Sequence, residues 1–346
     1  MLDKVSQYII ANVIEKGSQD PVELVFRITL FNIFTKVETW ELLQDELGPL
    51  TWATYNRKAY KDVLGKAKYE GQTLYTGSFQ KPAPDFGFKD AYMNHLALLE
   101  VFMANDLTGK LAESAFMADI FEWLAAFPGM GYFTTYQLLL NLSYSSVMNF
   151  SGMDFVVPGL GASSGLAKLF GHSMALARHA IPDIEIDVIR WLAKTQTQHF
   201  KRLGLDFTGL GPDRMPMELA DIEHTLCEVD KYSRIAHPKL QGLGGRTQMR
   251  GSGFRPSLVP YPTKARLPKA WFHPARKISR IRPGGLPVVD KRFTVARVGK
   301  RREGKAGVEY LVYWHGYSDK DATWEAEETL VQDAPEAVEE FLSKRR

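Results

Sequence analysis

The stretch Ala118-Asp-Ile-Phe-Glu-Trp-Leu-Ala-Ala-Phe127, Pro128-Gly-Met-Gly131, Tyr132-Phe-Thr-Thr-Tyr-Gln-Leu-Leu-Leu-Asn141 decides how the larger part of this chain is to be read. Its outer segments space apolar residues three and four apart, as an amphipathic helix does. Pro128, Gly129 and Gly131 interrupt that spacing, so the pattern predicts helix, tight turn, helix. Such a turn has a chemical use. Glycines let the backbone approach a phosphate, and the free N–H groups at the start of the second helix bind it. Pro128, Gly129 and Gly131 are therefore candidate DNA contacts; a plain α-hairpin built on the same turn is the alternative.

Working outward, Asp154 is the only charged residue between Glu122 and Lys168. A carboxylate isolated in so long an uncharged stretch is expected to be desolvated, which is costly unless it serves a purpose. Asp154 is accordingly the candidate catalytic residue, with a helix cap or turn role as the alternative. Upstream, Asp20-Pro21 is a cap followed by a first-turn proline and opens a helix over Val22–Phe34. Further helical periodicity falls near 37–47, 51–68, 90–104, 110–126, 184–203 and 217–232. Strand-like alternation is scarce up to about residue 238, so the domain is expected to be all-α. Arg27, in an otherwise apolar helix, could reach a DNA phosphate or make a buried salt bridge. Gln80 lies in a loop that could read a base edge. Glu228 and Lys231 are read as a helix-surface pair, and Cys227 as a core residue.

Helix, Pro-Gly-x-Gly, helix is the helix-hairpin-helix pattern. The region resembles helix-hairpin-helix DNA glycosylases, in which a catalytic aspartate follows the hairpin glycine by an interval similar to the 23 residues between Gly131 and Asp154. The bifunctional members place a lysine two residues after that glycine. Here the position is Phe133, which excludes Schiff-base lyase chemistry from it. A nearer resemblance rests on several segments: Phe26-Arg-Ile-Thr-Leu-Phe-Asn-Ile-Phe34, Leu74-Tyr-Thr-Gly-Ser-Phe79, Phe155-Val-Val-Pro-Gly-Leu-Gly-Ala162 and Ala220-Asp-Ile-Glu-His-Thr-Leu-Cys-Glu-Val-Asp-Lys-Tyr232. They are similar to the helical domain of 5-hydroxymethyluracil DNA kinases, grouped with α-glutamyl/putrescinyl-thymine pyrophosphorylases. That resemblance implies a glycosylase-derived fold used in modifying thymine bases in DNA. The chain has no Gly-Lys-Ser/Thr phosphate loop, so no kinase site of its own is expected.

The far end has a different texture. Phe293-Thr-Val-Ala-Arg-Val298 and Val308-Glu-Tyr-Leu-Val-Tyr-Trp314 alternate as strands, Ala322-Thr-Trp-Glu325 is a short third strand, and Pro335–Leu342 is an amphipathic helix. The segment Tyr310-Leu-Val-Tyr-Trp-His-Gly-Tyr-Ser-Asp-Lys-Asp-Ala-Thr-Trp-Glu325 resembles the chromodomain signature. The resemblance places an aromatic cage for methylated lysine on Phe293, Trp314 and Tyr317, with Asp321 as the assisting carboxylate. Simple packing of a small core is the alternative for these aromatics. Trp324, Tyr310 and Leu311 are read as core. Ala296 and Ala326 depart from the family's usual acidic residue and proline.

Between the two, residues 239–292 hold 13 Lys/Arg against the single acid Asp290, while the rest of the chain carries 30 basic and 39 acidic residues. Eight prolines from Pro238 on, and a glycine cluster, oppose a core there. The segment reads as a basic linker able to add sequence-independent DNA affinity, or as a solubilising spacer. With Cys227 the sole cysteine, an internal disulfide and a multi-cysteine zinc site are excluded. No run of about 18 apolar residues is present to span a membrane.

The sequence thus predicts an all-α helix-hairpin-helix glycosylase-like domain (1–238), a basic Pro/Gly-rich linker (239–292) and a small β-barrel-like chromodomain of three strands and a C-terminal helix (293–346). The expected function is chromatin-targeted action on a flipped modified pyrimidine, with a base-excision glycosylase and a non-catalytic adaptor of transposon origin as alternatives. The expected partners are DNA and a methylated histone tail, in the nucleus, with no membrane, metal or cofactor.

Overall fold

The computed structural model describes residues 3–77, 81–240, 266–283, 295–304, 307–314, 317 and 319–343. Its helices in chain order are α1 (Lys4–Tyr8), a π-helical turn (Ile9–Ile14), α2 (Pro21–Phe34), α3 (Val37–Leu47), α4 (Arg57–Tyr69), α5 (Ala91–Ala104), α6 (Leu107–Glu113), α7 (Met117–Ala125), α8 (Tyr132–Ser143), α9 (Leu160–Phe170), α10 (His172–Ala180), α11 (Ile184–Arg202) and α12 (Leu219–Ala236). Strands β1 (Val295–Gly304), β2 (Gly307–Trp314) and β3 (Thr323–Ala326) and helices α13 (Glu327–Asp333) and α14 (Pro335–Ser343) follow. The chain forms two compact units. One comprises Met1–Asn32, Thr108–Phe121 and Thr135–Pro287; the other comprises Ile33–Leu107, Glu122–Thr134 and Val288–Arg346.

In the first unit α2 starts where Asp20-Pro21 predicts: Asp20 Oδ1 accepts from the N–H groups of Val22 and Glu23 at 2.9 and 3.3 Å. Leu24, Val25, Phe26, Ile28 and Leu30 are all fully buried. A helix apolar on every face is a central helix, and each such side chain contributes about 1.5–3 kcal/mol by leaving water.

The helices α9 and α10 are not apparent from periodicity. Gly161 and Gly165 sit one turn apart on α9, where an added Cβ would lie 2.4 Å from Cys227 Sγ and 2.2 Å from the Leu226 carbonyl oxygen. Those glycines lower helix propensity but let α9 lie directly against α12. The contact is locked by Asp230, 1 % exposed, which accepts from Ser164 Oγ at 2.7 Å and pairs with Lys168 at 3.0 Å and with Arg234.

In the second unit α7 ends at the turn the sequence marks. Met130 N–H donates to the Phe127 carbonyl at 3.1 Å, and Gly129 takes φ +73°, a left-handed conformation that favours glycine. A Cβ on Gly129 would also press on Pro84 at 3.0 Å.

The chromodomain sheet is antiparallel in the order β1-β2-β3. Its core is Tyr310, Val312, Leu330, Val338 and Phe341, with Val295, Val298, Val308 and Trp314 packed against it. Leu311 and Trp324, expected in that core, are half-buried partners across β2 and β3 and lie outside it. The cause is the two-residue alternation of a strand, which sends Tyr310 and Val312 to one face and Leu311 to the other. Arg302 instead covers Trp324, its guanidinium 4.0 Å from the ring centroid.

Candidate functional site

Asp154 closes a tight turn after α8: its N–H donates to the Ser151 carbonyl at 3.0 Å, and its Oδ2 accepts from Ser151 N–H at 2.9 Å. The residue is 4 % exposed. A charge that far from water needs further donors, and they come from a distant part of the chain. Ser279 Oγ and the Arg280 N–H both donate to Oδ1, at 2.8 and 2.7 Å.

Those donors belong to residues 266–283, inside the stretch read from composition as a linker. This strap is anchored along its length within the first unit. Arg266 exchanges two hydrogen bonds with the Gln7 side chain, at 2.7 and 3.0 Å, and Leu267 is buried. After short 3-10 turns at Lys269–Phe272 and Pro274–Lys277, Trp271 Nε1 and Arg276 Nη1 both donate to the Ser143 carbonyl, at 3.2 and 2.6 Å. Arg280 donates to the Asn149 carbonyl at 2.7 Å and lies over Phe150, while Arg282 pairs with Asp119 at 3.0 Å.

Two hollows adjoin this region. One is a cleft of about 310 Å³ bordered by Asp154, Phe155, Asp183, Asp187, Arg190 and the strap residues Arg280 and Arg282. Arg190 reaches the Asp154 carbonyl at 3.4 Å, and its Nε is buried without a hydrogen-bond partner among the described residues. The other is a small cavity of about 30 Å³ whose lining includes Tyr136, Tyr144, Glu218, Asp221, His224, Trp271 and Arg276.

Burial controls the titration of this second group. It raises the Glu218 carboxyl, against the opposing pull of Arg276, and raises Asp221 as well. Neighbouring Glu223, which accepts from Gly159 N–H at 2.9 Å, is pushed up to about 7 by burial. Burial lowers His224 to about 4. Among the described residues the Tyr136 hydroxyl and His224 Nε2 are buried without hydrogen-bond partners, the latter 3.6 Å from Glu223 Oε2. Sequence reasoning missed Tyr136, Glu218, Asp221 and His224 as a group, because only packing brings α8 and α12 together.

The other candidates are dispersed. Gly131 is exposed, with Tyr132 and Phe133 about two-fifths exposed beside it, and a Cβ on Gly131 would meet nothing within 4 Å. Pro128, Gly129 and Gly131 lie in the second unit and Asp154 in the first. Arg27 is 5 % exposed and donates to the carbonyls of Val13 at 3.0 Å and Ser18 at 2.6 Å, holding the loop before α2. Gln80 lies outside the described residues. Lys231 and Glu228 pair at 2.6 Å. One cluster had no sequence signal: Lys81 donates to Thr35 Oγ1 at 2.7 Å, and His95 Nδ1 meets Tyr75 OH at 2.8 Å. Burial lowers Lys81 to about 7 and His95 to about 4.

In the chromodomain Trp314 is half-buried and its Nε1 donates to Thr323 Oγ1 at 2.9 Å. Tyr317 follows in a turn closed by its N–H on the Trp314 carbonyl at 3.2 Å. Its hydroxyl pKa is raised by burial and then by the charge of Asp321, which is exposed. Phe293 lies outside the described residues.

Two protein-family models match parts of the chain. Residues 293–344 match the Chromo (CHRromatin Organisation MOdifier) domain, so the chain carries a chromodomain and is chromatin-associated. No solved structure matches the chain. Residues 1–242 match the family described as 5-hmdU DNA kinase, helical domain. With most of its length covered by that match, and with a helical body built around α2, α9 and α12, the chain belongs to the family of the 5-hmdU DNA kinase helical domain.

Proposed function

We propose that the helical domain binds DNA, accepts a modified pyrimidine swung out of the duplex, and acts on it with Asp154. The chromodomain would deliver this domain to nuclear chromatin bearing methylated histone tails. The observation that supports the reading best is a buried carboxylate at the edge of a cleft of about 310 Å³ shared with Arg190, Arg280 and Arg282. The volume suits a small planar ligand, and guanidiniums suit the phosphates flanking a flipped nucleotide. Extrusion is required because the reactive ring atoms are out of reach in a stacked duplex. In that position Asp154 would stabilise positive charge on the sugar or activate a nucleophile. Pro128, Gly129 and Gly131 would hold the DNA backbone, and Trp314, Tyr317, Asp321 and Phe293 would surround the methylated ammonium.

A second reading is favoured by the three hydrogen bonds that the Asp154 carboxylate accepts from its own chain. In it Asp154 anchors the strap, and the domain is a DNA-binding adaptor. A fluorescent base analogue next to an oxidised pyrimidine separates the two readings. Emission should rise at saturating protein if the pyrimidine leaves the stack. Full binding without any rise would favour the adaptor.

A further inference from the structure

Ser279 combines two properties seldom found together. Its hydroxyl donates to the buried carboxylate of Asp154 at 2.8 Å, yet the residue itself is exposed. It stands in Arg276-Lys277-Ile278-Ser279-Arg280, with basic side chains three and two positions before it and one after. Ile278, immediately upstream, is 65 % exposed and extended, at φ −100° and ψ 111°. An extended, basic segment presenting an accessible hydroxyl is the substrate form of serine kinases whose clefts are acidic. We propose that Ser279 is a phosphorylation site for a basophilic protein kinase, and that its modification holds residues 266–283 away from Asp154.

The order of events follows from burial. Arg276, three residues upstream, is 9 % exposed and points inward to the Ser143 carbonyl, so a kinase engages it when the strap lifts. Ser279 Oγ then attacks the γ-phosphorus of the ATP held by that kinase. The bond from that phosphorus to the ADP oxygen breaks, and the hydroxyl proton leaves to the kinase base. The product is a phosphoserine that has lost its O–H donor and gained nearly two negative charges.

Re-docking would then place a phosphate beside the buried Asp154 carboxylate, where like charges repel. Two of the cations beside Asp154 are already committed. Arg280 holds the Asn149 carbonyl and covers Phe150, and Arg282 holds Asp119. Phosphorylation therefore traps the open strap and exposes both Asp154 and the cavity that Trp271 and Arg276 close. The proposal depends on the strap's geometry and stands whichever reaction Asp154 serves.

The test uses the full chain, ATP and the catalytic subunit of cyclic-AMP-dependent protein kinase, with sites mapped by mass spectrometry and the Arg280 amide followed by hydrogen exchange. That N–H donates to Asp154, so its exchange reports docking directly. The expected result is stoichiometric modification at Ser279 with at least about a ten-fold faster exchange at Arg280. In Ser279→Ala the kinase should leave Arg280 exchange unchanged, while Ser279→Thr should restore the response. A chain that is not modified at Ser279, or one that is modified there and keeps its Arg280 protection, overturns the proposal.

Discussion

The Arg280 amide donates to Asp154 Oδ1 at 2.7 Å, joining two residues 126 positions apart. This bond, with that of Ser279, makes the candidate catalytic carboxylate also the anchor of a basic segment. Asp154→Ala should therefore free the strap before it unfolds the domain. Arg280 exchange should accelerate, protease should cut within 266–283, and stability should fall by about 1–3 kcal/mol, the cost of leaving buried donors unpaired. Protection of 266–283 identical to wild type would show that the other anchors suffice.

Glu223 should make stability depend on pH in a direction opposite to most acids. Its folded pKa of about 7 lies above the unfolded value of 4.5, so the folded state holds the extra proton between these limits. Its contribution is fully present below about 4.5 and is lost as pH rises through about 7. Glu223→Gln keeps an acceptor for Gly159 N–H and removes the titration. The variant should match wild type near pH 4.5 and exceed it at pH 8, by up to about 3 kcal/mol. Denaturant midpoints at the two pH values measure this; a variant weaker than wild type at pH 8 would contradict it.

Asp230 should behave the other way. Burial alone would raise its pKa, but hydrogen bonds from Ser164, Lys168 and Arg234 outweigh that and hold it below the ordinary 3.8. Its stabilisation is present above that value and lost as pH falls through the lowered one. Asp230→Asn leaves Lys168, whose side chain is 2 % exposed, without its counter-charge, and should cost about 3–5 kcal/mol. Adding Lys168→Met should recover a large part of the loss. An additive double variant would mean that the pair is not coupled.

In the chromodomain Trp314→Ala should abolish any preference for a trimethylated over an unmodified lysine peptide, a difference of about 1–2 kcal/mol in an intact cage. Because Trp314 also packs against the core of Tyr310 and Val312, a melting curve must accompany the titration. Equal binding of both peptides by the wild-type domain would leave Trp314 with its packing role alone.

What was legible in the sequence was local. Asp20-Pro21 marks the start of α2, and Pro128-Gly marks the turn before α8, because caps and turns depend on the residues that form them. Asp154 stood out through the absence of neighbouring charge, and the chromodomain strands through alternation. What was not legible depends on distant partners. Gly161 and Gly165 weaken the helical signal of α9, yet are there for contact with α12. The strap has the composition of a linker; its anchors are carbonyls, a glutamine and one carboxylate, which leave no periodicity. The grouping of Tyr136, Glu218, Asp221 and His224 likewise exists only after packing.

The proposed role of Asp154 is chemistry on a base in DNA. Its most direct test is nucleoside mass spectrometry after incubation with duplex DNA carrying oxidised pyrimidines. Wild type would be compared with Asp154→Asn, each also in a Trp271→Ala, Arg276→Ala background that loosens the strap. A changed or released pyrimidine is expected from the loosened protein. None is expected with either Asp154→Asn protein, although DNA affinity is kept, because Asn preserves the shape but removes the charge and one of the two acceptor oxygens. Product formed equally well by the Asp154→Asn proteins, or no product from wild type in either background, would contradict it.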